Sequence, residues 1–115
     1  MDENGKSLRP GILYGVDTRA ISQIEELENK YTREVLVEFG GSRLTTQAAG
    51  PKILWIKQSE PDIYRKTAKF ITSTSYLILR LTGNYVINAH TATEFNPLLD
   101  IKTVSWDGRF AEEIT

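Results

Sequence analysis

The stretch Gly11–Ala20, GILYGVDTRA, decides how the rest of the chain is read. Ile12, Leu13 and Tyr14 run into Gly15 and Val16, and an acid, a hydroxyl and a base follow at Asp17, Thr18 and Arg19. This order predicts a buried strand, Gly11–Val16, that empties into a polar strand-to-helix turn. In open α/β sheets, ligands collect at the carboxyl ends of strands. Tyr14, Asp17, Thr18 and Arg19 are therefore the first candidates for a site, and the alternative is a plain helix entry.

Upstream, Asp2-Glu3-Asn4-Gly5-Lys6 is a turn, with Asn4-Gly5 as its hairpin signal. No strand precedes it, so the chain reads as starting partway through a β-meander. Downstream, Ile21, Ile24, Leu27 and Tyr31 fall on one face of a helix, Ala20–Tyr31, which Asp17 or Thr18 is placed to cap. Thr32–Phe39 has strand-like β-branching at Val35 and Val37. It also fits a short helix capped by Thr32 and ended by Gly40-Gly41, and the helix is the preferred reading. Ser42–Gly50 is a polar loop of small residues.

Pro51 opens a largely buried helix through Ile53, Leu54, Trp55 and Ile56. Ser59-Glu60-Pro61-Asp62 reads as a capping box that begins a helix from Pro61 to Ala68. Short strands are expected at Phe70–Ile71 and Tyr85–Ile87. Between them a helix capped by Thr72 or Ser73 runs to Leu81 and ends at Gly83. One helical turn at His90–Phe95 is broken by Asn96-Pro97. Leu98–Ile101 packs back, and Trp106–Ile114 forms a last helix. Trp55 and Trp106 read as core.

At 115 residues the chain holds one core. Its charged fraction of 25% and hydrophobic fraction of 40% are those of a globular domain. A net charge of -1 without a basic stripe argues against a nucleic-acid surface. There are no cysteines, which excludes disulfides and thiolate metal sites. MDENGKSLRP has no apolar core of a signal peptide, and apolar runs reach only four residues, as in Tyr76–Leu79. A cytoplasmic protein without membrane contact is the expectation.

Familiar catalytic patterns are missing. No serine is flanked by elbow glycines, and neither GxGxxG nor GxxxxGK[ST] occurs. His90 is the only histidine, and its neighbours Thr91 and Glu94 do not have metal-ligand spacing. The simplest reading of His90 is structural. Asp17 and Arg19 form either a cap beside an exposed base or a carboxylate–guanidinium pair suited to sugar hydroxyls. Gln47 is either a solvated loop amide or a donor and acceptor for a ligand. Lys52 stands in the first turn of its helix, where the dipole disfavours a cation. An acidic partner, Asp17 or Glu38, is expected for it.

Three stretches carry a family resemblance: GILYGVDTRA from Gly11, TTQAAGPKILWIKQSEPDIYRKTAKFI from Thr45, and TSYLILRLTGNYVINAHTATEFNPLLDIKTVSWD from Thr74. In this order and spacing, GPKILW, then EP, YLILRLTG, LLD and WD resemble the FGGY carbohydrate kinases, in particular the branch around xylulokinase and gluconokinase. The likeness covers nearly the whole chain. It implies an α/β architecture: a mostly helical part, with a few short strands, of the RNase H-like fold shared with actin and hexokinase. Residues 1–115 would be a single partial domain, the later middle of the first domain.

Members of this family transfer the γ-phosphate of Mg-ATP to a sugar or polyol hydroxyl. The resemblance implies that the DxGT phosphate loop, the aspartate base and the second, adenine-gripping domain all lie outside this sequence. The chain alone is then expected to be inactive and to bind no Mg-ATP, with no catalytic or metal-binding residue of its own. Asp100 and Asp107 belong to the LLD and WD landmarks and are taken as structural. The carry-over concerns the sugar pocket. Tyr14 matches an aromatic that lines the polyol site in glycerol kinase, and Gln47 stands where that enzyme has a polyol-contacting tyrosine. Asp17 and Arg19 match the D-x-R after the strand, and the segment containing His90 resembles one near the domain's active face. The alternative is a free-standing, non-catalytic sugar-binding or interaction module. Truncated sheet edges would expose apolar surface and favour a homodimer.

Overall fold

The computed structural model describes all residues, 1–115. The element order is α1 (Ile21–Tyr31), α2 (Arg33–Gly40), α3 (Ala49–Ser59), α4 (Pro61–Lys66), α5 (Ser73–Thr82), α6 (Ala89–Thr93), β1 (Leu99–Asp100), β2 (Ser105–Trp106) and α7 (Ala111–Ile114). The two strands pair antiparallel, Leu99 with Trp106 and Asp100 with Ser105. The architecture is mostly helical with short strands, as the sequence implies.

Helix α1 packs on α2 and α3, and α3 packs on α4 and α7. Leu27, Leu36, Leu54, Phe110 and Ile114 meet in the core these helices share. The Phe110 ring stands edge-on to Tyr31 at 4.9 Å and to Phe39 at 5.0 Å, so three distant segments are joined by aromatic packing. Lys57 adds a polar tie, its Nζ donating to the carbonyls of Glu112, Glu113 and Thr115 at the end of α7.

Local chemistry explains the helix limits. The Val35 amide donates to Thr32 Oγ1 at the start of α2, and Gly41, at φ 78°, ends it with its amide on the Val37 carbonyl. The same pair of devices bounds α5: Thr72 Oγ1 accepts from the Ser75 amide, and Gly83 closes the helix in the left-handed region. The Asn4-Gly5 turn also forms, with Asp2 Oδ1 accepting from the Asn4 and Lys6 amides.

Three expected strands do not form. Gly11–Val16, Phe70–Ile71 and Tyr85–Ile87 carry no ladder, because a strand exists only through a backbone partner and none lies beside them. Leu13 and Val16 are accordingly 67% and 72% exposed. The capping-box side chains at Ser59 and Asp62 make no cap bond; Glu60 instead pairs with Arg9, Nε to Oε2 at 2.6 Å. The last helix is only Ala111–Ile114, because Trp106 is drawn into β2 and Asp107 turns the chain by accepting from the Arg109 amide. Trp106 is 56% exposed rather than core, although its ring meets Phe95 edge-on at 5.7 Å.

Candidate functional site

The turn after Tyr14 is held by a contact across the fold. The Gly15 amide donates to Gln47 Oε1 at 2.6 Å, and Gln47 Nε2 donates to Thr46 Oγ1 at 3.3 Å. Gly15 has φ 84°, which a glycine adopts without strain and which turns its amide toward the loop. Gln47 therefore latches the Tyr14 segment to the loop that precedes α3.

Tyr14 and Gln47 border one cleft of about 450 Å³, together with Gly40–Arg43, Thr45, Ala48, Thr93, Glu94, Asn96 and Ile101. Most of this lining is polar. Its floor is Asn96, which is only 3% exposed. The Asn96 Nδ2 donates to the Ser42 carbonyl at 3.1 Å, while its Oδ1 has no hydrogen-bond partner. A methyl at Gly40 would overlap the Asn96 amide, and one at Gly50 would overlap its carbonyl. The two glycines thus let Asn96 sit between the end of α2 and the start of α3.

Asp17 and Arg19 do not border this cleft. Their side chains form a two-pronged pair, with Arg19 Nε on both Asp17 oxygens at 2.9 Å and Nη2 on Oδ2 at 2.7 Å. The guanidinium also lies 4.7 Å from the centre of the Trp55 ring. Asp17 Oδ1 accepts from the Arg19 amide as well. Neither Asp17 nor Thr18 caps α1 with its side chain, because Asp17 is committed to Arg19. The bonds from Arg19 hold the Asp17 carboxyl below its ordinary 3.8.

Lys52 is 8% exposed, and its side-chain amine makes no ion pair within 4 Å and no hydrogen bond. Burial pushes its amine below the ordinary 10.5, the charge of Asp17 opposes that shift, and Arg19 adds to it. Of its two expected partners, Asp17 is near but occupied, and Glu38 pairs with Lys102 at 3.0 Å. His90 lies on α6, exposed and not among the residues that border the cleft, and its carbonyl accepts from Thr93 Oγ1. The structure therefore unites Tyr14 with Gln47 and Asp17 with Arg19, and leaves His90 apart.

Nucleotide and metal chemistry finds little footing here. Side chains of His, Asp and Glu do not gather in threes that could hold a metal ion. A side chain at Gly40 would run into the Asn96 amide, and one at Gly41 into Ile101.

Arg43, Glu94 and Asn96 were not singled out by the sequence. Arg43 lies on a loop about 50 residues before Glu94 and Asn96, and only the small residues of Ser42–Gly50 suggest that something packs close to that backbone.

A family model described as "FGGY family of carbohydrate kinases, N-terminal domain" matches residues 1–114. The chain is 32% identical to the xylulose kinase of Lactococcus lactis, with 100% of the chain and 22% of the relative covered. The crystal structure of xylulose kinase from Rhodospirillum rubrum superposes with a TM-score of 0.91 at 25% identity, covering 99% of this chain and 23% of that one. That of gluconate kinase from Lactobacillus acidophilus gives 0.88 at 24% identity, over 99% and 23%, and bears on the fold alone. The chain thus spans about a fifth of the length of these relatives. No helix is long and apolar enough to cross a membrane.

Proposed function

The chain belongs to the FGGY family of carbohydrate kinases, and from that premise we propose that residues 1–115 supply one wall of the sugar site of such a kinase. They form the later middle of its N-terminal domain. The whole enzyme, in the cytoplasm, transfers the γ-phosphate of Mg-ATP to a hydroxyl of a sugar or polyol. The groups that clamp phosphate, hold magnesium and accept the hydroxyl proton are assigned to other parts of that enzyme, because phosphoryl transfer needs all three and no cluster of His, Asp and Glu gathers here.

The observation that carries this reading is the latch from Gly15 to Gln47, which fixes Tyr14 on the rim of a polar cleft. An aromatic rim stacks on the apolar face of a sugar, and amides and hydroxyls behind it meet its oxygens. Gln47 acts chiefly by holding that rim. Asp17 and Arg19 stiffen the turn from behind, and His90 has no part in it.

Calorimetry of the purified chain against pentuloses, hexonates and polyols tests the proposal. Binding is expected, and Tyr14→Ala should weaken it about tenfold, a loss near 1.4 kcal/mol. Sugar-dependent ATP turnover by this chain alone would contradict the assignment of phosphoryl transfer to other parts of the enzyme.

A second reading, a free-standing sugar-binding module that self-associates, is favoured by one observation. Leu13, Val16, Leu77 and Leu81 are all more than 60% exposed, and such surface favours a partner. Sugar binding together with a dimer mass in light scattering would support it; a monomer at high concentration would remove it.

A further inference from the structure

The cleft contains one cation and one anion that do not meet. Arg43 and Glu94 both line it. Neither side chain takes part in any of the six ion pairs, and neither makes a side-chain hydrogen bond within the chain. Glu28, whose carboxylate feels the charge of Arg43, is held by Arg33 through bonds of 3.1 and 2.8 Å. Glu94 is held in place through its backbone, whose carbonyl accepts from the Ala49 amide at 2.7 Å. Its carboxylate is left half-buried and unengaged. The other polar groups of the lining are neutral.

Two opposite charges line one cleft of about 450 Å³ without pairing, Arg43 from an exposed position and Glu94 from a half-buried one. A guanidinium alone would favour an anion. Here the carboxylate across the cleft cancels that field and repels a second carboxylate. It also needs O–H donors, which a polyol supplies at adjacent carbons, while the guanidinium donates to a keto or hydroxyl oxygen. Thr45 Oγ1 already accepts from the Gln47 amide, so its proton is free to donate. Discrimination then arises from a repulsive element as well as attractive ones.

We propose that Arg43 and Glu94 are the specificity-determining residues of this cleft, and that together they select a neutral polyhydroxy sugar over a sugar acid. The assignment rests on the reading of the cleft as a sugar wall. Asn96, wedged between Gly40 and Gly50, holds the two walls at their separation.

Calorimetry of the full chain with xylitol and with D-gluconate, at low and moderate salt, tests it. Xylitol is expected to bind at least tenfold tighter than gluconate. Glu94→Gln should weaken xylitol and strengthen gluconate, each about tenfold, with the gluconate gain shrinking as salt screens it. Adding Arg43→Gln to that variant should abolish the gain. Both side chains are free of internal bonds, so the variants should keep the parent's circular dichroism, which is recorded alongside. Gluconate binding as tight as xylitol in the parent, or an unchanged ratio in Glu94→Gln, overturns the inference and leaves the sugar wall standing. Silence toward every sugar overturns both.

Discussion

Helices α3 and α5 are nearly the same length, at 11 and 10 residues, and both are rich in Leu and Ile. Their surroundings differ completely. In α3, Pro51, Ile53, Leu54 and Ile56 are buried, and so even is Lys52. In α5 only Ser75 is buried, while Leu77 and Leu81 are 61% and 84% exposed. Helix α3 lies among α1, α4 and α7, whereas α5 has no comparable neighbour. It is bounded by its own caps at Thr72 and Gly83. An apolar sequence with good caps is enough to draw a helix; a second apolar surface is needed to bury one.

The sharpest way to break this contrast is to remove the ring at the centre of the packed half. Phe110 is 1% exposed, and Phe110→Ala should cost about 3–5 kcal/mol, read from urea unfolding monitored by circular dichroism. A loss below about 1 kcal/mol would mean that α1, α2 and α7 are not joined through this ring.

A smaller effect of opposite sign is expected at Lys52. Its amine is buried beside α1 without a partner of its own, so Lys52→Met should stabilise the chain by about 1 kcal/mol. The pH dependence follows from the lowered value. Between that value and the ordinary 10.5 the folded chain binds fewer protons than the unfolded one. Stability of the parent therefore rises with pH across that window, and the advantage of Lys52→Met shrinks there. Thermal melts of both proteins across the window check the sign; an advantage that grows with pH would contradict it.

The smallest change belongs to the unpacked half. Leu81→Ser should alter stability by no more than about 0.5 kcal/mol, because the side chain is already in water. Urea melts that show a larger loss would place α5 against a neighbour and dissolve the contrast with α3.

Several elements were legible from their residues. The spacing of Ile21, Ile24, Leu27 and Tyr31 predicts α1, and Thr32 with Gly40-Gly41 bounds α2 within a residue. Thr72 and Gly83 do the same for α5. Each signal acts over a few residues, through a cap or a helical face, and needs nothing distant. The strands at Gly11–Val16 and Tyr85–Ile87 were misread for the complementary reason. Their apolar and aromatic runs describe a segment that fits a sheet, and a sheet requires a second backbone. In the candidate site, Tyr14 and Gln47 were legible as members, through the polar strand end and the family likeness. Their roles were not. Gln47 read either as a solvated loop amide or as a ligand contact, and in the structure its oxygen accepts from the Gly15 amide.

The sequence by itself determined the helices, their caps, the turn at Asn4-Gly5 and membership in the carbohydrate kinase family, because these follow from local preferences and from landmarks in order. Only the tertiary structure decided that Lys52 is left without a partner, that Asn96 wedges between Gly40 and Gly50, and that Arg43 and Glu94 border one cleft. The relations of Asn96 to Gly40 and Gly50 and of Arg43 to Glu94 join residues about 50 apart in the chain. Their strength depends on distances of a few ångströms, which folding sets and no local pattern encodes.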